Sequence, residues 1–160
     1  MLQKLLKILH EVSAVGVLGS FAACLVIIVT GPSQQSLVAY AATRHAIAEI
    51  CRWMLVPSLA VALISGLLAI AANRAYANAG WAWVKALLGI GMFEGTLGSV
   101  GANARHAAEL SALAAAGNPD PVQLAGVLRT EWGGLWMLLA LSLVNIVLGV
   151  WRPRFGRAVR

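Results

Sequence analysis

Long apolar stretches alternate with shorter polar segments along the chain. The four stretches cover residues 8–29, 53–72, 82–103 and 132–151. Each is close to the ~20 residues that a helix needs to cross the hydrocarbon core of a bilayer. Turn-forming residues separate them, with Gly31-Pro32 after the first stretch and a 117–121 segment rich in Gly, Asn and Pro before the fourth. The pattern predicts an all-α polytopic membrane protein, a bundle of four transmembrane helices.

The composition supports a single membrane domain covering residues 1–160. Hydrophobic residues make up 60% of the chain and charged residues 11%, whereas a soluble domain has about 45–50% apolar and about 25% charged residues. The net charge of +6 is concentrated near the chain ends, which is typical of a topology signal and not of a nucleic-acid-binding surface. We therefore expect the lipid bilayer, and no nucleic acid, as a partner.

Lysine and arginine residues predict the orientation of the spans. Seven lie before the first span, between the second and third, or after the fourth: Lys4, Lys7, Arg74, Arg152, Arg154, Arg157 and Arg160. The two longer connections hold four: Arg44, Arg52, Arg105 and Arg129. Because the more basic side usually faces the cytoplasm, we expect both termini inside, in a bacterial-type inner membrane. The 30–52 and 104–131 connections then face outward.

Both outward connections have helical, amphipathic patterns and share a short string. It reads Thr-Arg-His-Ala from Thr43 and Ala-Arg-His-Ala from Ala104. We expect two amphipathic connecting helices that face outward, with arginine side chains reaching the headgroups. His45 and His106 lie in these strings. They are weak candidates for a shared metal or haem, because imidazole ligates both, although no third ligand stands at metal spacing.

The third span carries two charged residues, which are costly inside a membrane and usually face protein. One helical face gathers Lys85, Gly89, Met92, Thr96, Ser99, Asn103 and His106. Glu94 falls on the opposite face with Gly91 and Gly98. We expect the first face to line the bundle. The Gly91/Glu94/Gly98 face is a candidate contact with a second copy or a larger membrane complex, because small residues let helices approach closely. Glu94 is accordingly a candidate proton or partner contact.

His10 and Lys85 are predicted to lie at one depth of the bundle. Each is about one turn inside the cytoplasmic end of its span. Glu11 and Arg152 lie at the same membrane edge. A histidine, a lysine and a carboxylate converging there would form a site for an anionic, partly apolar ligand.

Several short motifs resemble a group of small membrane proteins. In chain order they are Lys7-Ile-Leu-His10, Gly19, Pro57 with Gly66-Leu-Leu, and Trp83-Val-Lys85-Ala-Leu. Across residues 4–95 they resemble the HemJ-type protoporphyrinogen oxidases and the membrane domain of CopD copper-resistance proteins. They resemble more closely a family of small four-span membrane proteins without an assigned activity. The resemblance to HemJ-type enzymes implies that His10 and Lys85 bind haem b or porphyrin, with His10 on the haem iron.

Three functions stay open on this basis. The first is a haem- or porphyrin-associated membrane redox protein, and the second is a CopD-like protein that handles copper or a small solute. The third is a non-enzymatic accessory or assembly subunit of a larger membrane complex, which the two-faced third span favours. The two cysteines, Cys24 and Cys51, have no disulfide-framework or metal-motif spacing, and we expect them to be buried thiols.

Overall fold

A computed structural model of the chain describes residues 1–152, with every side chain in that range except that of Leu2. Arg154, Arg157 and Arg160, which entered the orientation count, lie outside the described residues. The α-helices are α1 (Leu2–Thr30), α2 (Leu37–Ile50), α3 (Val56–Ala71), α4 (Arg74–Ala77), α5 (Gly80–Gly95), α6 (Gly101–Ala115) and α7 (Pro121–Trp151). Two π-helical turns, Cys51–Leu55 and Thr96–Val100, join α2 to α3 and α5 to α6.

The predicted connecting helices are extensions of the membrane helices. α2 runs through the first π turn into α3, so that Leu37–Ala72 is one helix of 36 residues. α5 runs in the same way through the second π turn into α6. A π turn widens a helix locally without interrupting it. The chain therefore stays helical from each connection into the adjoining apolar stretch, without the break that separate interfacial helices would require.

Three helices of the described residues are long and apolar enough to cross a membrane: Gln3–Thr30, Leu37–Ala72 and Pro121–Trp151. The predicted third span, residues 82–103, is helical throughout but is not one of them. Lys85, Glu94 and several glycines reduce the hydropathy of that stretch. The prediction of an all-helical membrane protein is supported, and the four-span bundle stays a proposal.

The long helices pack side by side with alternating direction. α1 packs against α3, α3 against α5, and α5 against α7, and α7 also contacts α1. α1 and α5 are therefore diagonal to each other, whereas the extensions α2 and α6 pack on one another. At one end, Gln3 Nε2 donates to the Ala72 carbonyl at 3.5 Å, and the Arg152 guanidinium lies 5.7 Å from the Trp81 ring centroid. We call this the termini end, and the opposite end, with residues 31–36 and 116–120, the connector end.

The helix ends follow the turn-forming residues of the sequence. α7 begins after Asp120, whose carboxylate accepts a hydrogen bond from the Gln123 amide at 2.9 Å. This cap satisfies one of the free N–H groups of the first turn, and Pro121 at the start of the helix needs no partner for its nitrogen. The predicted break between the third and fourth stretches is thus where the structure turns.

Candidate functional site

The four long helices each turn a small or polar stripe toward the bundle interior. Ser13, Ser20, Ser65, Thr96 and Ser142 are buried. The predicted inward stripe of the third span, from Lys85 to His106, contains no exposed residue. Glu94 is exposed on the outside of the bundle. The helical-wheel prediction for this stretch agrees with the structure, because an inward stripe and an outward carboxylate are both observed.

A layer of polar groups lies near the termini end, with one group from each helix of the bundle. We call His10 of α1, Ser65 of α3, Lys85 of α5 and Asn145 of α7 the polar layer. Each is five to eight residues from the end of its helix at that side, which is about 8–12 Å at 1.5 Å per residue. His10 and Lys85 thus lie on diagonal helices, eight and five residues from helix ends that share the termini end.

The imidazole of His10 is held by the backbone of α3. Its Nδ1 lies 2.9 Å from the Ala62 carbonyl oxygen and 3.4 Å from the Ser65 hydroxyl. Since a carbonyl only accepts, Nδ1 is the donor in this bond, and in the neutral ring Nε2 is then the lone-pair nitrogen. Gly66 lies beside the ring, where a Cβ atom would be 3.6 Å from Cε1. Backbone anchoring of one imidazole nitrogen is the arrangement that orients histidines for ligation through the other.

Lys85 reaches across to α7, where a glycine leaves room for it. A Cβ atom on Gly149 would lie 2.7 Å from the Lys85 Nζ atom. Among the described residues, no carboxylate lies within ion-pair distance of this ammonium. Asn145 is one turn from Gly149 on the same face of α7, and its Oδ1 atom is buried without a hydrogen-bond partner among the described residues. Within residues 1–152, the layer thus keeps a cation without an ion-pair partner and an amide oxygen without a hydrogen-bond partner.

These residues fit the chemistry of a haem or porphyrin in their donor set. A neutral imidazole with a free Nε2 is an axial haem ligand. An ammonium without a carboxylate partner suits a propionate group. The half-buried positions of His10 and Lys85 leave part of each side chain accessible from outside the bundle. The donor set therefore fits such a group.

The helices α2 and α6 do not bring His45 and His106 into a metal cluster among the described residues. His45 lines a groove of about 550 Å³ between α2 and α6, with Glu49, Arg105 and Glu109. The Nδ1 atom of His106 lies 3.6 Å from the Glu109 carboxylate. Across residues 1–152, no group of three or more His, Cys, Asp or Glu side chains is arranged to hold a metal ion.

A second polar site, which the sequence analysis missed, lies toward the connector end. Arg44 of α2 and Glu131 of α7 form a buried ion pair, with side chains 4% and 2% exposed. Arg44 was expected to reach the headgroups, and this expectation is wrong. The positions of the two residues on their helical wheels indicate this burial. Arg44 shares a face with Ile47, Cys51 and Leu55, and Glu131 shares one with Leu135, Leu138 and Ser142, all buried.

The two cysteines lie in the same region. Cys24 and Cys51 are 0% and 1% exposed, and both belong to the main hydrophobic core with Phe21, Leu55 and Leu138. They are free thiols. The expectation of buried thiols is therefore confirmed.

Comparison of the whole chain with protein-family models, curated proteins and solved structures gives no match. The polar layer and the outer face of α5 are therefore the features of the chain that bear on its function.

Proposed function

We propose that this chain is a haem- or porphyrin-associated redox protein of a bacterial-type inner membrane, built as a four-span bundle. The observation that carries the proposal is the hydrogen bond from His10 Nδ1 to the Ala62 carbonyl, 2.9 Å long. This bond fixes the tautomer that offers Nε2 for ligation. The resemblance of residues 4–95 to HemJ-type enzymes selects the same histidine and the same lysine.

Two residues of the polar layer have a defined part in this proposal. His10 would ligate the haem iron through Nε2, with the Ala62 carbonyl holding the ring in orientation. Lys85 would bind a propionate, and Gly149 keeps the space that its ammonium occupies. A bound haem would supply one-electron redox chemistry. Lysine and arginine residues are more numerous at the two termini and in the 74–80 turn than in the two longer connections. This supports placing the polar layer on the cytoplasmic side.

The test is an absorption spectrum of the detergent-purified protein, recorded oxidised and then reduced with dithionite. The proposal predicts a Soret band that shifts on reduction and is lost in His10→Ala. The matched controls are His45→Ala and His106→Ala, which remove the other two histidines of the chain and should leave the band unchanged. A colourless protein after haem is supplied during expression would refute the proposal. Stoichiometric copper in that colourless preparation would instead support the CopD-like alternative.

The outer face of α5 favours a second candidate function, that of an accessory subunit in a membrane assembly. Gly91, Glu94 and Gly98 are all exposed on this face. A Cβ atom on Gly91 or on Gly98 would meet nothing within 4 Å. A carboxylate turned away from its own bundle is expensive in lipid and is usually covered by protein. Glycines beside it permit the close approach of another helix.

A paired substitution tests this second function. Gly98→Leu should dissociate a partner, or a second copy, that co-purifies with the parent protein. Gly19→Leu is the matched control, because Gly19 is also an exposed membrane-helix glycine with open space around it. An unchanged particle mass for the parent, Gly98→Leu and Glu94→Gln proteins would refute the accessory role of this face.

A further inference from the structure

The two cysteines that the chain contains lie beside each other inside the bundle. Cys24 is in α1, and Cys51 opens the π turn that leads from α2 into α3. α1 packs on this turn, and both side chains belong to one hydrophobic core with Phe21 and Leu55. The two thiol groups are close enough to act on each other as hydrogen-bond donor and acceptor. The fold thus makes one pair of two thiols from different helices.

The backbone, and not a long flexible side chain, sets this contact. Cys24 continues the buried face of α1 that holds Val17 and Phe21, and Cys51 continues the buried face of α2 that holds Ile47. A cysteine sulfur is one rotatable bond from its backbone, so it occupies one of three staggered positions. A disulfide requires that the two backbones lie close together, and the packing of α1 on the π turn meets this requirement.

Burial restricts the oxidant that can reach the pair. Cys24 and Cys51 are 0% and 1% exposed, which excludes charged and bulky reagents from the folded core. Hydrogen peroxide is uncharged and close to water in size, so a brief local opening admits it. Cys51 begins a π turn, and such turns depart from regular α-helical hydrogen bonding and are frequent at functional sites. The pair is therefore suited to a small neutral oxidant.

We propose that Cys24 and Cys51 are a redox-active dithiol, which hydrogen peroxide converts into an intramolecular disulfide. One sulfur attacks a peroxide oxygen, so that an S–O bond forms, the O–O bond breaks and one water leaves. The second sulfur then attacks the sulfenic sulfur, so that the S–S bond forms, the S–O bond breaks and a second water leaves. The two thiols together give two electrons to the peroxide oxygens, and their two protons end in the two waters.

The disulfide would join α1 to the middle of the helix Leu37–Ala72. The charges of Arg44 and Glu131 act on both thiols, so the bond would lie near the contact that joins α2 to α7. Such a cross-link stabilises a folded chain mainly by constraining the unfolded one. Oxidation should therefore raise the midpoint of thermal unfolding by at least about 4 °C.

The test counts thiols in the detergent-purified full chain after exposure to hydrogen peroxide. The protein is first reduced and freed of reductant, then treated with peroxide, and then denatured in SDS with excess N-ethylmaleimide. Intact-mass spectrometry should show a chain that has lost two hydrogen atoms and carries no maleimide. Reduction with dithiothreitol before labelling should restore two labels. Two labels without that reduction, or cysteines that gain oxygen without forming a disulfide, would overturn the proposal.

A matched variant exchanges the residues at positions 24 and 26. Cys24→Val with Val26→Cys keeps the composition of α1 but moves the thiol to a position that is 59% exposed in the parent. It should form no intramolecular disulfide with Cys51, while circular dichroism shows that it is folded. A disulfide yield equal to that of the parent would show that the native contact is not needed, and would overturn the proposal. The parent yield should persist in His10→Ala, because the pair does not depend on bound haem, and its loss there would assign the oxidation to haem instead.

Discussion

Arg44 of α2 donates a hydrogen bond through Nη2 to the carboxylate of Glu131 in α7, a residue 87 positions later in the chain. The pair is buried where α2 meets α7. Ion pairs in such surroundings contribute little net stability, since both charges lose their hydration. Removing one partner is a different matter, because the other charge then stays buried alone. The pair consequently ties α2 to α7 at one specific position of each helix.

Single and double substitutions of this pair should therefore have unequal costs. Glu131→Met alone is expected to lower the free energy of unfolding by about 3–5 kcal/mol, because Arg44 remains as an unpaired buried charge. Arg44→Met together with Glu131→Met should cost clearly less than either single change. Denaturation in mixed micelles, followed by circular dichroism, gives the three values. Additive costs of the two single changes would contradict a coupled buried pair.

The Arg44–Glu131 ion pair is harder to predict from the sequence than the helices that carry it. The apolar stretches, the breaks between them and the inward face of the third span all follow from local patterns, and the structure shows them. The burial of Arg44 does not follow from the second apolar stretch alone, because it requires α2 to continue that stretch as one helix, whose buried face then extends to Arg44. Glu131 lies on the buried face of α7 with Leu135 and Leu138. Partners 87 positions apart leave no local signature of each other.

Close contact between α1 and α3 depends on Gly16. A Cβ atom there would lie 3.1 Å from the Ser58 Cβ atom and closer still to its hydroxyl. Gly16→Val is expected to destabilise the protein by about 1–3 kcal/mol through overpacking. Gly19→Val, one turn along the same helix with nothing near its Cβ position, should change stability by no more than about 0.5 kcal/mol. Thermal unfolding of the two variants in one detergent makes the comparison, and equal destabilisation would contradict the observed packing.

The burial of both cysteines predicts protection from alkylation. Cys24 and Cys51 are at most 1% exposed, so a water-soluble maleimide should modify them slowly in the folded protein and rapidly after denaturation in SDS. Ser36→Cys provides an exposed thiol in the same chain as a positive control. Mass spectrometry follows the reaction. Rapid modification of either native cysteine before denaturation would show that the core opens where the structure is closed.

The orientation of the bundle can be measured with single cysteines in a chain carrying Cys24→Ala and Cys51→Ala. Ser36 and Asn78 are exposed at the connector end and the termini end, respectively. Because the more basic side faces the cytoplasm, Ser36→Cys should react with a membrane-impermeant maleimide in intact spheroplasts. Asn78→Cys should react only after the membrane is permeabilised. The opposite pattern would invert the topology and place the polar layer on the outer side.

Lys85 and Gly149 offer a test of the polar layer that leaves His10 untouched. A methyl group at position 149 would lie 2.7 Å from the Lys85 ammonium, so Gly149→Ala should displace the flexible lysine at little cost in stability. If Lys85 holds a propionate, both Gly149→Ala and Lys85→Met should weaken haem binding by about tenfold, since each removes a charge-assisted hydrogen bond. Gly19→Ala is the control at an unconstrained glycine. Parent-like haem affinity in Lys85→Met would remove this residue from the site.

If His10 presents a free Nε2 atom to haem iron, the haem-free purified protein should bind haem through this residue, which a haem titration measures. The Soret band of the parent protein, and of His45→Ala and His106→Ala, is expected to shift and saturate at one haem per chain. His10→Ala should show no saturable shift, while its circular dichroism remains that of the folded helical protein. Saturation of His10→Ala at the parent affinity, or a parent protein that never shifts the Soret band, would contradict haem ligation by His10.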